Sequence, residues 1–168
     1  MLNTPKIESE RSEIWLQKIA YADVIKHIKE MLGPAAEERG VKLKTEVIGK
    51  ENYSINTDKQ ILGIILECLV ANAINYSSSG QEIVLDIRKE GEYFIFSVKD
   101  SGIGIPKEEQ DRIFERFYRA ANAKTFKPDG TGLGLNLAQM LAQRIGAKIT
   151  FESEVGRGSI FYLRIPRG

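Results

Sequence analysis

The sequence predicts an α+β domain: a two-layer sandwich in which helices cover one face of a mixed, mostly antiparallel sheet. Three observations support this. Residues 83–98 and 148–165 each show two β-rich runs joined by a short polar or glycine-containing turn, the pattern of a hairpin. Residues 58–76 form a nearly continuous apolar helix behind an Asp. A length of 168 residues with 42% hydrophobic side chains suits one core rather than two.

The elements follow in order. Residues 1–12 are polar and aperiodic and are expected to be a flexible leader or the cut end of a longer protein, which leaves 13–168 as the domain. Residues 14–19 suit a short edge strand. From Asp23 the apolar positions Ile25, Ile28, Leu32, Ala35 and Ala36 have helical spacing, with Gly33 and Pro34 placed to kink or divide the helix. Residues 41–47 alternate as a half-buried strand that the polar stretch 49–56 closes. Asp58 is a good N-cap for a helix whose buried face carries Ile61, Ile64, Ile65, Cys68, Leu69, Ala73 and Ile74, ending near the Ser-Ser-Ser-Gly run 77–80. After the first hairpin, residues 107–118 suit a short amphipathic helix and 119–129 a mobile polar loop. A helix carrying Leu137, Met140, Leu141 and Ile145 then stops at Gly146, before the second hairpin.

Composition narrows the function. Lys+Arg 24 against Asp+Glu 23 gives a formal charge of +1 with signs interspersed, so no clustered basic face for nucleic acid is expected. No apolar run reaches the ~20 residues of a membrane span and no secretory leader is evident, and with a single cysteine a cytoplasmic location is expected for this domain, a membrane anchor elsewhere in a full-length protein being left open. One cysteine, Cys68, and one histidine, His27, can build neither a disulfide framework nor a Cys/His zinc cage.

The chemistry-bearing residues are few. Two glycine clusters, Gly102/Gly104 and Gly130/Gly132/Gly134, bracket the polar segment at a strand end and a helix start, where backbone N–H groups collect and phosphate binds. Either cluster alone is adequately explained by tight turns. Neither has the spacing of a Walker or Rossmann nucleotide loop. Asp100 ends an apolar strand without a cationic neighbour in sequence, so its carboxylate either caps its own turn or accepts from a ligand amine such as that of adenine. On the apolar helix, Asn72 shares a face with Asn75 and Tyr76; its carboxamide suits either a neighbouring loop or Mg²⁺ bound jointly with phosphates. Arg112, Arg116 and Arg119 could clamp a phosphoryl group, although Glu115 offers Arg112 a local salt bridge.

In order and spacing, residues 14–166 resemble the catalytic and ATP-binding domain of bacterial sensor histidine kinases. Residues 69–77, Leu-Val-Ala-Asn-Ala-Ile-Asn-Tyr-Ser, are similar to that family's N box, and 100–105, Asp-Ser-Gly-Ile-Gly-Ile, to its G1 box. Residues 113–119 resemble the F box, 130–135 (Gly-Thr-Gly-Leu-Gly-Leu) the G2 box, and 154–159 the final glycine turn. The resemblance implies the Bergerat ATP-binding sandwich shared with gyrase, Hsp90 and MutL ATPases. It also implies ATP as substrate with Mg²⁺: Asp100 reads adenine, Asn72 ligates the metal, and Tyr76 lines the pocket with Asn75, Gly102, Ile103, Gly104, Ile105 and Tyr118. Gly130, Thr131, Gly132, Leu133, Gly134 and Leu135 would receive the phosphates. Arg119 would approach the γ-phosphate, with Arg116 as a second catalytic arginine, and residues 107–131 would form an ATP lid.

Two positions depart from the family pattern. Cys68 stands where another Asn is frequent, and Asn75 where Lys is common, removing a cation from near the phosphates. Glu67, five residues before Asn72, falls off the site face and is not expected to act as a hydrolytic base. His27 is followed by Ile28 rather than an acidic residue and reads as an ordinary surface helix residue, so the acceptor histidine is expected on a separate dimerisation domain, with a response regulator served indirectly. The isolated domain is expected to be monomeric. A nucleotide-responsive interaction module with weak or no kinase activity and an anti-sigma-type serine kinase are the alternatives.

Overall fold

The computed structural model describes residues 13–49 and 52–168; the segment 1–12, expected to be a flexible leader, lies outside the described residues. Strand β1 (Leu16–Ala20) leads directly into helix α1 (Tyr21–Glu38), followed by β2 (Lys42–Ile48), β3 (Ser54–Asp58) and helix α2 (Lys59–Asn75). The hairpin β4 (Glu82–Glu90) and β5 (Tyr93–Asp100) comes next, then a 3₁₀ helix over Lys107–Arg112 and the short helix α3 (Ala121–Phe126). Helix α4 (Gly134–Arg144) and the hairpin β6 (Lys148–Glu154) and β7 (Gly158–Pro166) complete the chain.

Five strands form one sheet in the order β2-β4-β5-β7-β6; β2 pairs parallel with β4 and every other pairing is antiparallel. Helices pack on one face, as the hairpin and helix patterns predict. Ile83, Leu85 and Ile87 of β4, Phe94, Phe96 and Val98 of β5, and Phe161, Leu163 and Ile165 of β7 point into the core at alternate positions. They meet α2, which is apolar almost all round because it is covered by the sheet and by its neighbouring helices: Leu62, Ile65, Leu66 and Val70 are fully buried. Side chains of this size, fully buried, each contribute about 1.5–3 kcal/mol of transfer free energy. The Asp58 side chain caps α2 as expected, accepting from the backbone N–H groups of Gln60 and Ile61, and it also accepts from Trp15 N–H.

Several expectations are corrected. The stretch 49–56 is not simply a closing loop: it contains the start of β3, which pairs antiparallel with β1 in a separate two-stranded sheet. Helix α1 runs through Pro34 undivided, with Val24, Ile25, Ile28 and Ala36 buried while Ala35 faces outward. On α4 the buried positions are Ala138 and Ala142, whereas Leu137 and Met140 are 42% and 57% exposed. Two alanines let α4 approach α2 closely, and that packing overrides the larger apolar residues. Residues 107–118 form a single 3₁₀ helix followed by turns, and the loop expected over 119–129 contains α3. His27 is half-buried, its Nε2 2.6 Å from Glu67 Oε1, so the two residues tie α1 to α2.

Candidate functional site

The ends of α2, β5 and α4 converge beneath the segment 107–131 and enclose a cavity of about 270 Å³. Its lining brings together Cys68, Asn72, Asn75 and Tyr76 from the end of α2, Asp100, Ile103, Gly104 and Ile105 from the first glycine turn, and Tyr118, Arg119, Gly130, Thr131, Gly132, Gly134 and Leu135 from the lid and the start of α4. Gly102, Leu133 and Arg116, also singled out from sequence, do not line it. Arg116 is exposed, with its guanidinium 4.9 Å from the centre of the Phe117 ring.

Asp100 is 6% exposed at the end of β5. One carboxylate oxygen, Oδ1, accepts from the N–H groups of Gly102 at 2.8 Å and Ser159 at 3.3 Å. The other, Oδ2, has no hydrogen-bond partner among the described residues, so half of the carboxylate is anchored and half is available. Burial pushes the carboxyl up to about 6 from 3.8, against the two N–H donors that stabilise its ionised form. An ionised, desolvated oxygen at the wall of a cavity is a strong acceptor for a ligand N–H.

The first glycine turn is shaped by close backbone approach. A Cβ at Gly102 would fall inside the carbonyl of Tyr76, which accepts from Ile103 N–H at 3.1 Å. Gly102 is therefore a structural residue that lets the turn dock on the end of α2. Gly104, at φ +67°, sits against the Glu154 carbonyl, and Gly156 N–H donates to Ile103 O at 3.0 Å, so the final glycine turn buttresses the first. At the other end of the cavity, α4 begins at Gly134, and its first-turn N–H groups lack intrahelical acceptors. Gly134 has open space where a side chain would stand.

The lid is held by specific contacts. Glu109 accepts from the Tyr118 hydroxyl at 2.6 Å and from Ala121 N–H at 3.1 Å, joining the 3₁₀ helix to the start of α3. Phe114 packs edge-on against Phe151 and Phe161, which anchors the base of the segment in the core. Arg112 pairs with Glu115, as its sequence neighbourhood suggests. Arg119 points inward and donates to the carbonyls of Ala123, Lys127 and Pro128, with the Tyr76 hydroxyl 3.4 Å away. Its guanidinium thus ties one carbonyl of α3 to the two residues that follow the helix, and it lies against Gly130. These contacts make helical what the sequence suggested was an irregular loop.

Asn72 and Asn75 are half-buried, and neither side chain hydrogen-bonds another described residue. No group of three or more His, Cys, Asp or Glu able to hold a metal ion occurs among the described residues. The Asn72 carboxamide lines the cavity and offers an oxygen donor of the kind a hard cation takes. Glu67 is engaged with His27 and does not line the cavity. Among the lining residues that the sequence reading did not single out are Asn122, and Lys127, whose Nζ is 3.1 Å from Asp129. Both lie in a polar stretch without periodicity, which carried no signal for either.

A family described as Histidine kinase-, DNA gyrase B-, and HSP90-like ATPase matches residues 57–168, the span from the cap of α2 to the end of the chain. The chain belongs to this family. It resembles the Aerobic respiration control sensor protein ArcB of Escherichia coli (strain K12), with 32% identity over 166 residues that cover 98% of this chain and 21% of ArcB. Sensor histidine kinase WalK of Bacillus subtilis (strain 168) is 32% identical over 154 residues, covering 90% of this chain and 24% of WalK. Among solved structures, full-length ShkA in complex with AMPPNP shares 26% identity with a TM-score of 0.78, covering 92% of this chain and 31% of ShkA. The catalytic domain of histidine kinase ThkA has the same fold, with a TM-score of 0.77 at 22% identity over 91% of this chain and 96% of that domain. The chain is thus a catalytic, ATP-binding domain of the sensor histidine kinase type, and it spans only about a fifth to a quarter of ArcB and WalK. Among the described residues of this ATPase-family domain, no helix is long and apolar enough to cross a membrane.

Proposed function

We propose that this domain binds Mg²⁺-ATP in the cavity between α2, the first glycine turn and the lid, and donates the γ-phosphoryl group to a histidine on a separate dimerisation domain. The single observation that carries the reading is the half-anchored Asp100 carboxylate: Oδ1 is fixed by two backbone N–H groups while Oδ2 is left for the exocyclic amine of adenine. Tyr76, Ile103, Ile105 and Leu135 flank the nucleotide, and backbone N–H groups over 130–134 at the start of α4 take the phosphates. Asn72 would hold Mg²⁺, which when bound would neutralise charge on the phosphate oxygens. Arg119 exchanges its lid carbonyls for the γ-phosphate and stabilises the charge that develops there. Arg116, lying outside the cavity, is left out of the catalytic set.

The chain's own residues position rather than supply a nucleophile. An acceptor imidazole nitrogen attacks the γ-phosphorus in line, the bond to the β-phosphate oxygen breaks, and ADP leaves. Glu67 is held by His27 and does not line the cavity, so it is not placed to activate water there, and hydrolysis by the domain alone is expected to be slow.

Mixing the purified domain with Mg²⁺-ATP and a separately produced dimerisation domain is expected to yield acid-labile phosphohistidine on the added domain. An acid-stable phosphoserine product, or no transfer with any sensor-kinase dimerisation domain tried, would overturn the assignment.

A further inference from the structure

Asn122 lies in the first turn of α3, on the lid, and lines the same cavity as Asp100. Its Nδ2 donates to the Gly104 carbonyl at 2.9 Å, so this one side chain spans the distance from the lid to the turn that follows Asp100. The chemistry fixes the amide's orientation, because a carbonyl acceptor can face only the N–H end of the group. That leaves Oδ1 buried with no hydrogen-bond partner. A buried amide oxygen without a donor is costly and needs either a ligand or a rearrangement to satisfy it.

The position of the clasp indicates which ligand group would satisfy it. Gly104 belongs to the glycine turn that begins at Asp100, so Asn122 is tied to the turn that carries Asp100, and both residues line the cavity. An exocyclic amine has two N–H donors, and a single carboxylate oxygen uses one of them. We propose that Asn122 is a specificity-determining residue of the nucleotide site: Nδ2 clasps the lid to Gly104, and Oδ1 accepts the second N–H of the base's exocyclic amine beside Asp100. Closure of the lid and recognition of an amino-purine are then one event, because a base lacking the amine leaves Oδ1 unpaired under the closed lid. This inference rests on the ATP-site reading above.

The test compares the intact chain with Asn122→Ala and Asn122→Ser, measuring the affinity of each in magnesium buffer for ATP, for 2′-deoxyATP and for purine riboside triphosphate, which lacks the 6-amine. Both variants are expected to bind ATP about tenfold more weakly, the scale of one lost hydrogen bond. The preference of the parent chain for ATP over purine riboside triphosphate should shrink about fivefold or more in each variant, because that ratio cancels the contribution of the Gly104 clasp. The preference for ATP over 2′-deoxyATP should be unchanged. An unchanged amine preference, or equal weakening of all three nucleotides, would overturn the base-reading role, and a collapse of the 2′-deoxy preference instead would move the contact to the ribose and overturn it too. A parent chain that binds none of them would overturn the ATP-site reading itself, and this inference with it.

Discussion

Asp100→Asn is expected to make the ligand-free domain more stable and to weaken ATP binding about a hundredfold. The carboxyl is held at about 6 rather than 3.8, so keeping it ionised in the folded protein at pH 7 costs about 3 kcal/mol. The amide isostere retains an oxygen for the Gly102 and Ser159 N–H groups without that charge. A gain of this order raises the melting temperature of a chain this size by about 6–12 °C. Its cost falls on the ligand, because the atom replacing Oδ2 is an N–H donor facing the donor of an adenine amine. The pH dependence has a definite sign. Folding raises this pKa, so the folded state gains stability as pH falls through about 6 towards 3.8, where the unfolded carboxyl protonates too. ATP affinity moves the other way, declining below about pH 6 as the acceptor loses its charge. Thermal melts and nucleotide titrations from pH 5 to 8 should show both trends in the parent chain and neither in Asp100→Asn; an unaltered ATP affinity in the variant would refute the role given to Asp100.

Replacing Arg119 should separate lid order from chemistry. In the structure the guanidinium donates to the carbonyls of Ala123 in α3 and of Lys127 and Pro128 just after it, while its Nε is buried without a partner. Arg119→Ala removes those donors, and amide hydrogen exchange across residues 121–130 of the ligand-free protein should quicken. Loss of a group that stabilises charge on the transferring phosphoryl is expected to slow single-turnover transfer about 10²- to 10³-fold. ATP affinity should fall by about tenfold or less, because backbone N–H groups and the base contacts remain. Arg119→Lys restores one positive charge but not a planar fork able to reach several carbonyls, so it should recover part of the rate and little of the exchange protection. Transfer at the parental rate in Arg119→Ala would show that the arginine serves the lid alone.

The parts of this domain that were legible from sequence are those whose local signals agree with their tertiary setting. Asp58 followed by an unbroken apolar run announces α2, and the alternation in 83–98 and 148–165 announces the two hairpins. Two glycine clusters and one strand-end carboxylate were each open to a turn reading, and only the resemblance of the ordered motifs to a known family singled out residues that the structure brings to the cavity. Strand β3 was hidden because Ser54-Ile55-Asn56-Thr57-Asp58 is mostly polar, and its period-2 burial of Ile55 and Thr57 appears only once β1 lies beside it. On α4 the apolar residues with helical spacing were the larger ones, but helix approach favoured Ala138 and Ala142. The lid was least legible of all. Helix α3 depends on Glu109 at one end and Arg119 at the other, and Asn122 acquires its role from a carbonyl 18 residues away in sequence. No local pattern encodes such contacts.

Everything assigned to the site depends on the cavity holding an adenine nucleotide, and equilibrium dialysis of the folded chain against labelled ATP in magnesium buffer tests that most directly. Retention of one ATP per chain, displaced by ADP and not by GTP, is the predicted result. No retention at millimolar ATP by material whose melting curve shows a single cooperative transition would contradict it.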